Sequence, residues 1–319
     1  MTQQNFINKR ENYWKELEEM VKGGGRIIRN NPSLFASLCR ELSQDLNTAK
    51  ANGYDPSVID RLNILVHESN ELFFTKHPLS LKQLKNFFIS EFPGTVRTHW
   101  RSLVLSFLVF YGLILFFMML CIRNPNFVYE IMGRDSVRHL EEMYNPESGY
   151  YLTPRDAGTD ANMFGFYIHN NISIAFRTFA GGIFAGLGSI IILAFNGAFL
   201  GTALGHIMNT GYGGTFFPFV IGHSSFELTA IVFAAQGGLI LGFRLFFTRG
   251  LSRVASLKTA GETALPLILG AAIMLFIAAG IEAFWSSRHE FPFMLRYAAG
   301  AMGWILVIFY FVFTGKEKK

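Results

Sequence analysis

The chain has 319 residues, 50% of them hydrophobic and only 16% charged, where ordinary soluble domains carry roughly a quarter charged residues. The deficit is local: residues 1–101 hold 14 Lys/Arg and 11 Asp/Glu, and the rest hold 14 and 12 between long uncharged runs. This excludes a wholly soluble protein. The net charge of +5 is no nucleic-acid signal either, because the basic excess flanks the apolar runs, as a positive-inside bias demands.

Residues 5–91 read as successive amphipathic helices. Trp14, Leu17, Met20 and Val21 recur at helical spacing, and Gly23-Gly24-Gly25 breaks that helix. Asn31-Pro32-Ser33 starts a second, with Leu34, Leu38, Leu42 and Leu46 at four-residue steps. A turn at Gly53–Ser57 precedes a third, with Val58, Leu62, Leu65 and Leu72 apolar. His77-Pro78 opens a fourth, whose run from Leu81 to Phe92 ends at Pro93-Gly94. The expectation is a helical bundle over residues 1–95, cytoplasmic, followed by a transmembrane domain over 96–319. The N-terminal sequence has no apolar stretch of the kind a cleavable signal peptide needs.

Residues 102–122 carry no charge and match the roughly 20 residues that one hydrocarbon core requires. Arg97 and Arg101 before them argue for a cytoplasmic N-terminus. Residues 123–167, with 4 Lys/Arg and 7 Asp/Glu, read as an external loop carrying one amphipathic helix near 126–144. Apolar stretches follow at 169–195, 223–243, 264–285 and 293–314, with a glycine-rich stretch at 196–222 that is broken near Asn209–Gly214. If 196–222 crosses as a short or broken helix, the Arg244–Lys258 cluster and the Lys-rich tail both lie inside with the N-terminus. The fold class is therefore all-α, polytopic, with about six transmembrane helices; the alternative is a re-entrant hairpin with five crossings.

Gly197, Gly201 and Gly205 form a double GxxxG, and Gly182 and Gly186 form another. Small residues at this spacing let helix backbones approach closely in lipid, within a chain or between chains. The ionisable residues in the apolar runs are Arg177, His206, His223, Glu227 and Glu282. Charges at membrane depth are costly and tend to pair. Arg177 is the expected partner of Glu227 or Glu282 in a polar cluster toward the outer face, with Asn170 and Asn171 at its mouth and Asn196 at the inner end of the second helix. His223 and Glu227 stand at i and i+4 on one helical face. With Glu282 they make a three-ligand metal candidate of zinc type. The H-E-x-x-H pattern is absent, and a hydrogen bond between His223 and Glu227 is the simpler reading. No G-x-S-x-G elbow, Walker A loop or Rossmann fingerprint is present, so no cofactor and no enzyme class are expected. Cys39 and Cys121 have no metal spacing and read as inert.

The segment Asn170-Asn171, Arg177, Gly181-Gly182-Ile183, Gly186-Leu187-Gly188, Asn196-Gly197, Leu200-Gly201 resembles the core of the stage II sporulation protein M family. Gly222-His223-Ser224-Ser225-Phe226-Glu227 is similar to that family's P-H-G-x-x-E signature, with Gly222 in place of proline and Ser224 in place of glycine; Pro218 could then supply the helix break. Glu282 matches its late intramembrane acid. The opening with Arg10 and Trp14, the stretch with Arg40, Asp45 and Leu46, and Phe92-Pro93 with Arg97 resemble its longer, non-sporulation branch. The resemblance implies a bacterial cytoplasmic-membrane scaffold or partner subunit of an envelope complex, since the sporulating member holds cell-wall hydrolases. Its partners would be lipids and envelope proteins, with homo-oligomers possible and no nucleic acid. The residues alone also leave open transport of an ion, solute or lipid through a polar intramembrane site, and an intramembrane metallohydrolase.

Overall fold

A computed structural model describes residues 2–23, 32–74, 80–149, 155–288 and 290–315. The glycine break at 24–25, the His77-Pro78 opening, residues 150–154 of the polar loop, His289 and the Lys316–Lys319 tail lie outside these. Among the described residues every regular element is helical. The chain divides into two compact units, Met1–Ser80 and Leu81–Lys319.

The first unit contains α1 (Gln3–Lys22), α2 (Pro32–Ala51) and α3 (Pro56–Phe74). Their apolar stripes close on one core in which Trp14, Leu17, Phe35, Leu42 and Leu62 are fully buried. Leu34, one step of the expected stripe, sits in the first turn of α2 and is exposed. A charged network ties α1 to α2: the Arg10 guanidinium donates to Asp45 at 2.7 Å and Glu41 at 2.8 Å, and the Trp14 indole donates to Asp45 at 2.9 Å. These pairs hold the Arg10 guanidinium above its ordinary range against the opposing effect of burial. Arg61 on α3 clamps Glu11 and Glu18 of α1 in the same way.

The second unit opens with α4 (Leu81–Asn86), a π-turn (Phe87–Glu91) and α5 (Phe92–Thr98). Residues 81–95, expected with the N-terminal bundle, pack instead with the helices that follow. Phe92 is buried against Phe233 and Phe311. Pro93-Gly94 does not end the helix. Pro93 follows the π-turn in one continuous helical run, and the Phe88 carbonyl five residues before it accepts from the Tyr310 hydroxyl.

Then come α6 (Trp100–Arg123), α7 (Phe127–Met132), α8 (Arg134–Tyr144), α9 (Ala157–Ala180) and α10 (Leu187–Thr210). They are followed by α11 (Gly213–Phe246), α12 (Arg253–Ile281, continued by a π-turn at Glu282–Ser286) and α13 (Phe293–Phe313). The helix expected at 126–144 is split in two by Gly133, whose φ of 73° is left-handed. Among the described residues, five helices of the unit are long and apolar enough to cross a membrane: α6, α10, α11, α12 with its π-turn, and α13.

The helix α9 is as long as α6 but more polar. One of its ends is tied by Asp160 to Arg288, just past α12, at 2.6 Å. At the other, the Thr178 carbonyl accepts from Ser189 at 2.6 Å, and a Cβ on Gly238 of α11 would meet the Phe179 carbonyl at 2.9 Å. It thus lies alongside α11 and α12 from the Arg288 end to Gly238, and is the sixth long helix of the unit among the described residues. The long helices therefore differ in their bounds from the apolar stretches expected to cross. The second begins at Ala157, not 169. The stretch 196–222 is no crossing of its own: it is the second half of α10, a reversal at Gly211 (φ 80°), and the start of α11. The unexpected reversal lies at 181–186, where Ala185 and Gly186 both have positive φ. The sequence there, Gly-Gly-Ile-Phe-Ala-Gly, is apolar throughout and looks like helix interior.

Glycines set the helix spacing. A Cβ on Gly197 would lie 2.9 Å from the Phe110 carbonyl oxygen, one on Gly201 would fall onto the Ile114 backbone, and one on Gly205 would lie 2.6 Å from the Met118 carbonyl oxygen. The double GxxxG therefore seats α10 against α6 of the same chain, and the ascending pairs make the two helices parallel. Gly182 and Gly186 are not one helical stripe; they belong to the 181–186 reversal, pressed against Gly238 and Gly242 of α11.

Candidate functional site

The site forms where α11 meets the end of α12. His223 and Glu227 lie one turn apart on α11, so both face the same neighbour. That neighbour is the π-turn Glu282–Ser286, and π-turns inserted in α-helices recur at functional sites. The wider turn keeps Glu282 and Ser286, four residues apart, both facing α11. The Nδ1 of His223 and the Oγ of Ser286 are 3.2 Å apart. The Nε2 of His223 is 3.7 Å from Oε2 of Glu227, which is beyond hydrogen-bond reach. The simple His223–Glu227 hydrogen bond is therefore not formed; the imidazole is held by Ser286 instead. One ligand atom from each of His223, Glu227 and Glu282 lies within 4.8 Å of the other two. His223 and Glu282 are 5% and 9% exposed.

The close fit of α11 on the π-turn depends on Gly222. A Cβ there would lie 3.2 Å from the Ser286 hydroxyl, so any side chain would press on the group that holds His223. The helix does not break at this point. It runs unbroken through Pro218 and Gly222, and its entry is made earlier, by Gly211. Phe219, one turn before His223, packs edge-on against the imidazole.

Glu282 opens on a cavity of about 580 Å³, whose walls include Arg155, Tyr167, Asn170, Phe219 and Ser287. Arg155 is the cation that acts electrostatically on Glu282. Arg177 does not. It is exposed in the last turn of α9 and pairs with no acid among the described residues. The shift follows from the helix start: α9 begins at Ala157, so Arg177 lies about 30 Å along it at 1.5 Å per residue, at the end away from Glu282. There a cation complements the partial negative charge of a helix C-terminus.

The asparagines separate. Asn170 borders the cavity and donates to Asn171, which is buried, at 3.0 Å. Asn196 bonds back to the Ile192 carbonyl of its own helix at 2.7 Å and takes no part in the cluster. His206 belongs to a different arrangement, its Nε2 2.7 Å from Glu141 of α8. Three groups were not singled out beforehand. Ser286 and Gln236 are uncharged, and Arg155 sits in a polar stretch. Gln236 is fully buried and donates to the Val96 and His99 carbonyls at 3.0 and 3.2 Å, closing the end of α5. A glutamine inside an apolar helix was the available signal.

The profile of the family described as stage II sporulation protein M matches residues 103–287, which takes in α6 to the π-turn of α12 and every residue of the cluster. The chain belongs to this family. A second profile, for a domain of unknown function, matches residues 4–72, the span of α1 to α3. No curated protein and no solved structure matches the chain. The stage II sporulation protein M match covers the glycine reversal, the α6–α10 seam and the His223–Glu227–Glu282 group alike. It thereby joins the packing and the polar site in one unit. The all-helical membrane architecture and the family resemblance read from the residues agree with it.

Proposed function

We propose that the protein is a scaffold or partner subunit of a bacterial cell-envelope complex, seated in the cytoplasmic membrane with both termini cytoplasmic. One observation carries this reading: at two seams the membrane helices meet backbone against backbone. The Gly197–Gly201–Gly205 seam and the 181–186 reversal leave no room for a Cβ, and such seams hold their geometry. A scaffold needs a fixed platform, whereas alternating access requires helices that move against each other. A second support is the separate unit at residues 1–80, which has its own core and ion pairs and leaves Tyr13, Leu34 and Ile64 exposed. Single exposed apolar side chains are ordinary; here they mark the positions to mutate. The family match supports the envelope setting.

The test is recovery of the tagged full chain from native-host membranes in mild detergent. A stoichiometric protein partner should be retained by Glu227→Gln and weakened by Leu34→Glu with Ile64→Glu. A clean preparation with no partner, or one whose partner depends on Glu227 alone, would contradict the proposal.

A further inference from the structure

The cluster of His223, Glu227 and Glu282 has a chemistry that a packing role does not explain. Two carboxylates face each other across a largely buried space. Glu282 has no hydrogen-bonded partner among the described residues. Arg155 bears on Glu282 electrostatically, but one guanidinium balances one carboxylate. Burying charge without compensation is strongly unfavourable. With Arg155 set against one carboxylate, one negative charge is left for a further cation among the described residues.

The geometry points to a divalent transition-metal site of zinc type, with His223 Nε2, Glu227 and Glu282 as ligands. The separations suit it. At zinc bond lengths of about 2.0–2.2 Å, tetrahedral ligand atoms stand about 3.3 Å apart. The 3.7 Å between Nε2 and Oε2 and the 4.8 Å limit on the whole set need only small side-chain movements to close on an ion. The imidazole is already oriented for the task. Its Nδ1 faces the Ser286 hydroxyl, which leaves Nε2 for the metal; metal-binding histidines are commonly held through the other ring nitrogen in this way. A single nitrogen with two carboxylates neutralises a divalent ion. Of the three ligands Glu282 borders the cavity of about 580 Å³, and a fourth position on that side would take water or a ligand group. Three protein ligands with one open position is the arrangement of a zinc ion that can bind substrate. Ser286 is a positioning residue here, and Gly222 keeps it in place. This inference does not depend on the scaffold reading, and partner recovery and metal content fail separately.

The experiment uses the full chain with a histidine-free tag, in mild detergent. The protein is stripped with a chelator, exposed to zinc alone or cobalt(II) alone, and desalted. About one zinc per chain is expected, as are the intense visible bands of four- or five-coordinate cobalt. Glu282→Gln and His223→Gln should each lose the metal while eluting as the unaltered protein does. Ser286→Ala should weaken binding about 10-fold, with Ser286→Thr restoring it. The cobalt spectrum of the unaltered protein decides the matter if the variants do not fold. A monodisperse protein that takes up no zinc and shows no cobalt bands would overturn the proposal, as would a double variant, His223→Gln with Glu282→Gln, that retains as much zinc as the unaltered chain.

Discussion

The two units of the chain solve the same problem, fixing helix against helix, by opposite means. In residues 1–80 the helices are spaced by large side chains around Trp14 and Phe35 and locked in register by Arg10–Asp45 and Arg61–Glu11. In the second unit the α6–α10 seam is set by missing side chains, with Gly197, Gly201 and Gly205 laid on the α6 backbone. Solvent explains the difference. Water rewards burial of apolar bulk, whereas lipid tails do not distinguish Leu from themselves, so membrane helices gain from close backbone packing and from hydrogen bonds they cannot make to solvent.

The sharpest way to break this contrast is Gly201→Leu. The new side chain would collide with the Ile114 backbone, which cannot give way as a side chain can. The expected cost is about 3 kcal/mol or more, read as loss of monodisperse protein in detergent. Gly112→Leu, at a glycine with nothing within 4 Å, should leave the protein unchanged. Equal damage from both would show that the seam is not what spaces the helices.

Next comes Asp45→Ala, which strips the Arg10 guanidinium and the Trp14 indole of their shared acceptor. A loss of about 2–3 kcal/mol is expected. It should appear as faster amide exchange over 3–51, with exchange in α6 and α10 unaltered. An effect spread evenly over both units would contradict their separate stabilisation.

The features that were legible in the sequence are those with a local period. The Leu38, Leu42 and Leu46 steps of α2, the uncharged run of α6 and the His223–Glu227 spacing are all short-range patterns, and the structure keeps them. What was not legible depends on where a helix begins. The bounds of α9 were hidden because Asp160, Asn170, Asn171 and Arg177 dilute its apolar character and because the reversal after it is written in apolar residues. Twelve residues of error at its start moved Arg177 from the presumed outer cluster to the opposite end of the helix. Ser286 was invisible for another reason: only the π-turn brings it to His223, and no residue spacing announces a π-turn.

A smaller effect is expected from Gln236→Leu, which removes the amide shared by the Val96 and His99 carbonyls, while the His99 carbonyl keeps the Leu103 N–H and the Ser102 hydroxyl. Hydrogen bonds between membrane helices contribute about 1 kcal/mol, so a modest fall in thermal stability should result, with exchange quickened at 96–100.

The smallest effect belongs to Asp156→Asn. Asp156 caps α9 by accepting from the Thr159 amide at 2.7 Å, and its carboxyl is held below the ordinary range by hydrogen bonds from Thr159. A lowered folded-state value means a contribution present above the unfolded value and lost as pH falls through the folded one. Exchange at 157–160 should therefore differ between the two proteins at neutral pH and converge in acid. A difference that persists in acid would exclude the cap as its source.

The claim on which the membrane unit rests is that α9, too polar to be recognised by hydropathy, crosses the bilayer. Single cysteines at Lys82, Asp135 and Val254, in a chain with Cys39 and Cys121 replaced by serine, decide it through an impermeant thiol reagent applied to sealed vesicles of known orientation. With α9 crossing, Val254→Cys reacts from the same side as Lys82→Cys, and Asp135→Cys from the other. If Val254→Cys reacts from the side of Asp135→Cys, α9 does not cross, the unit has five crossings, and the account fails.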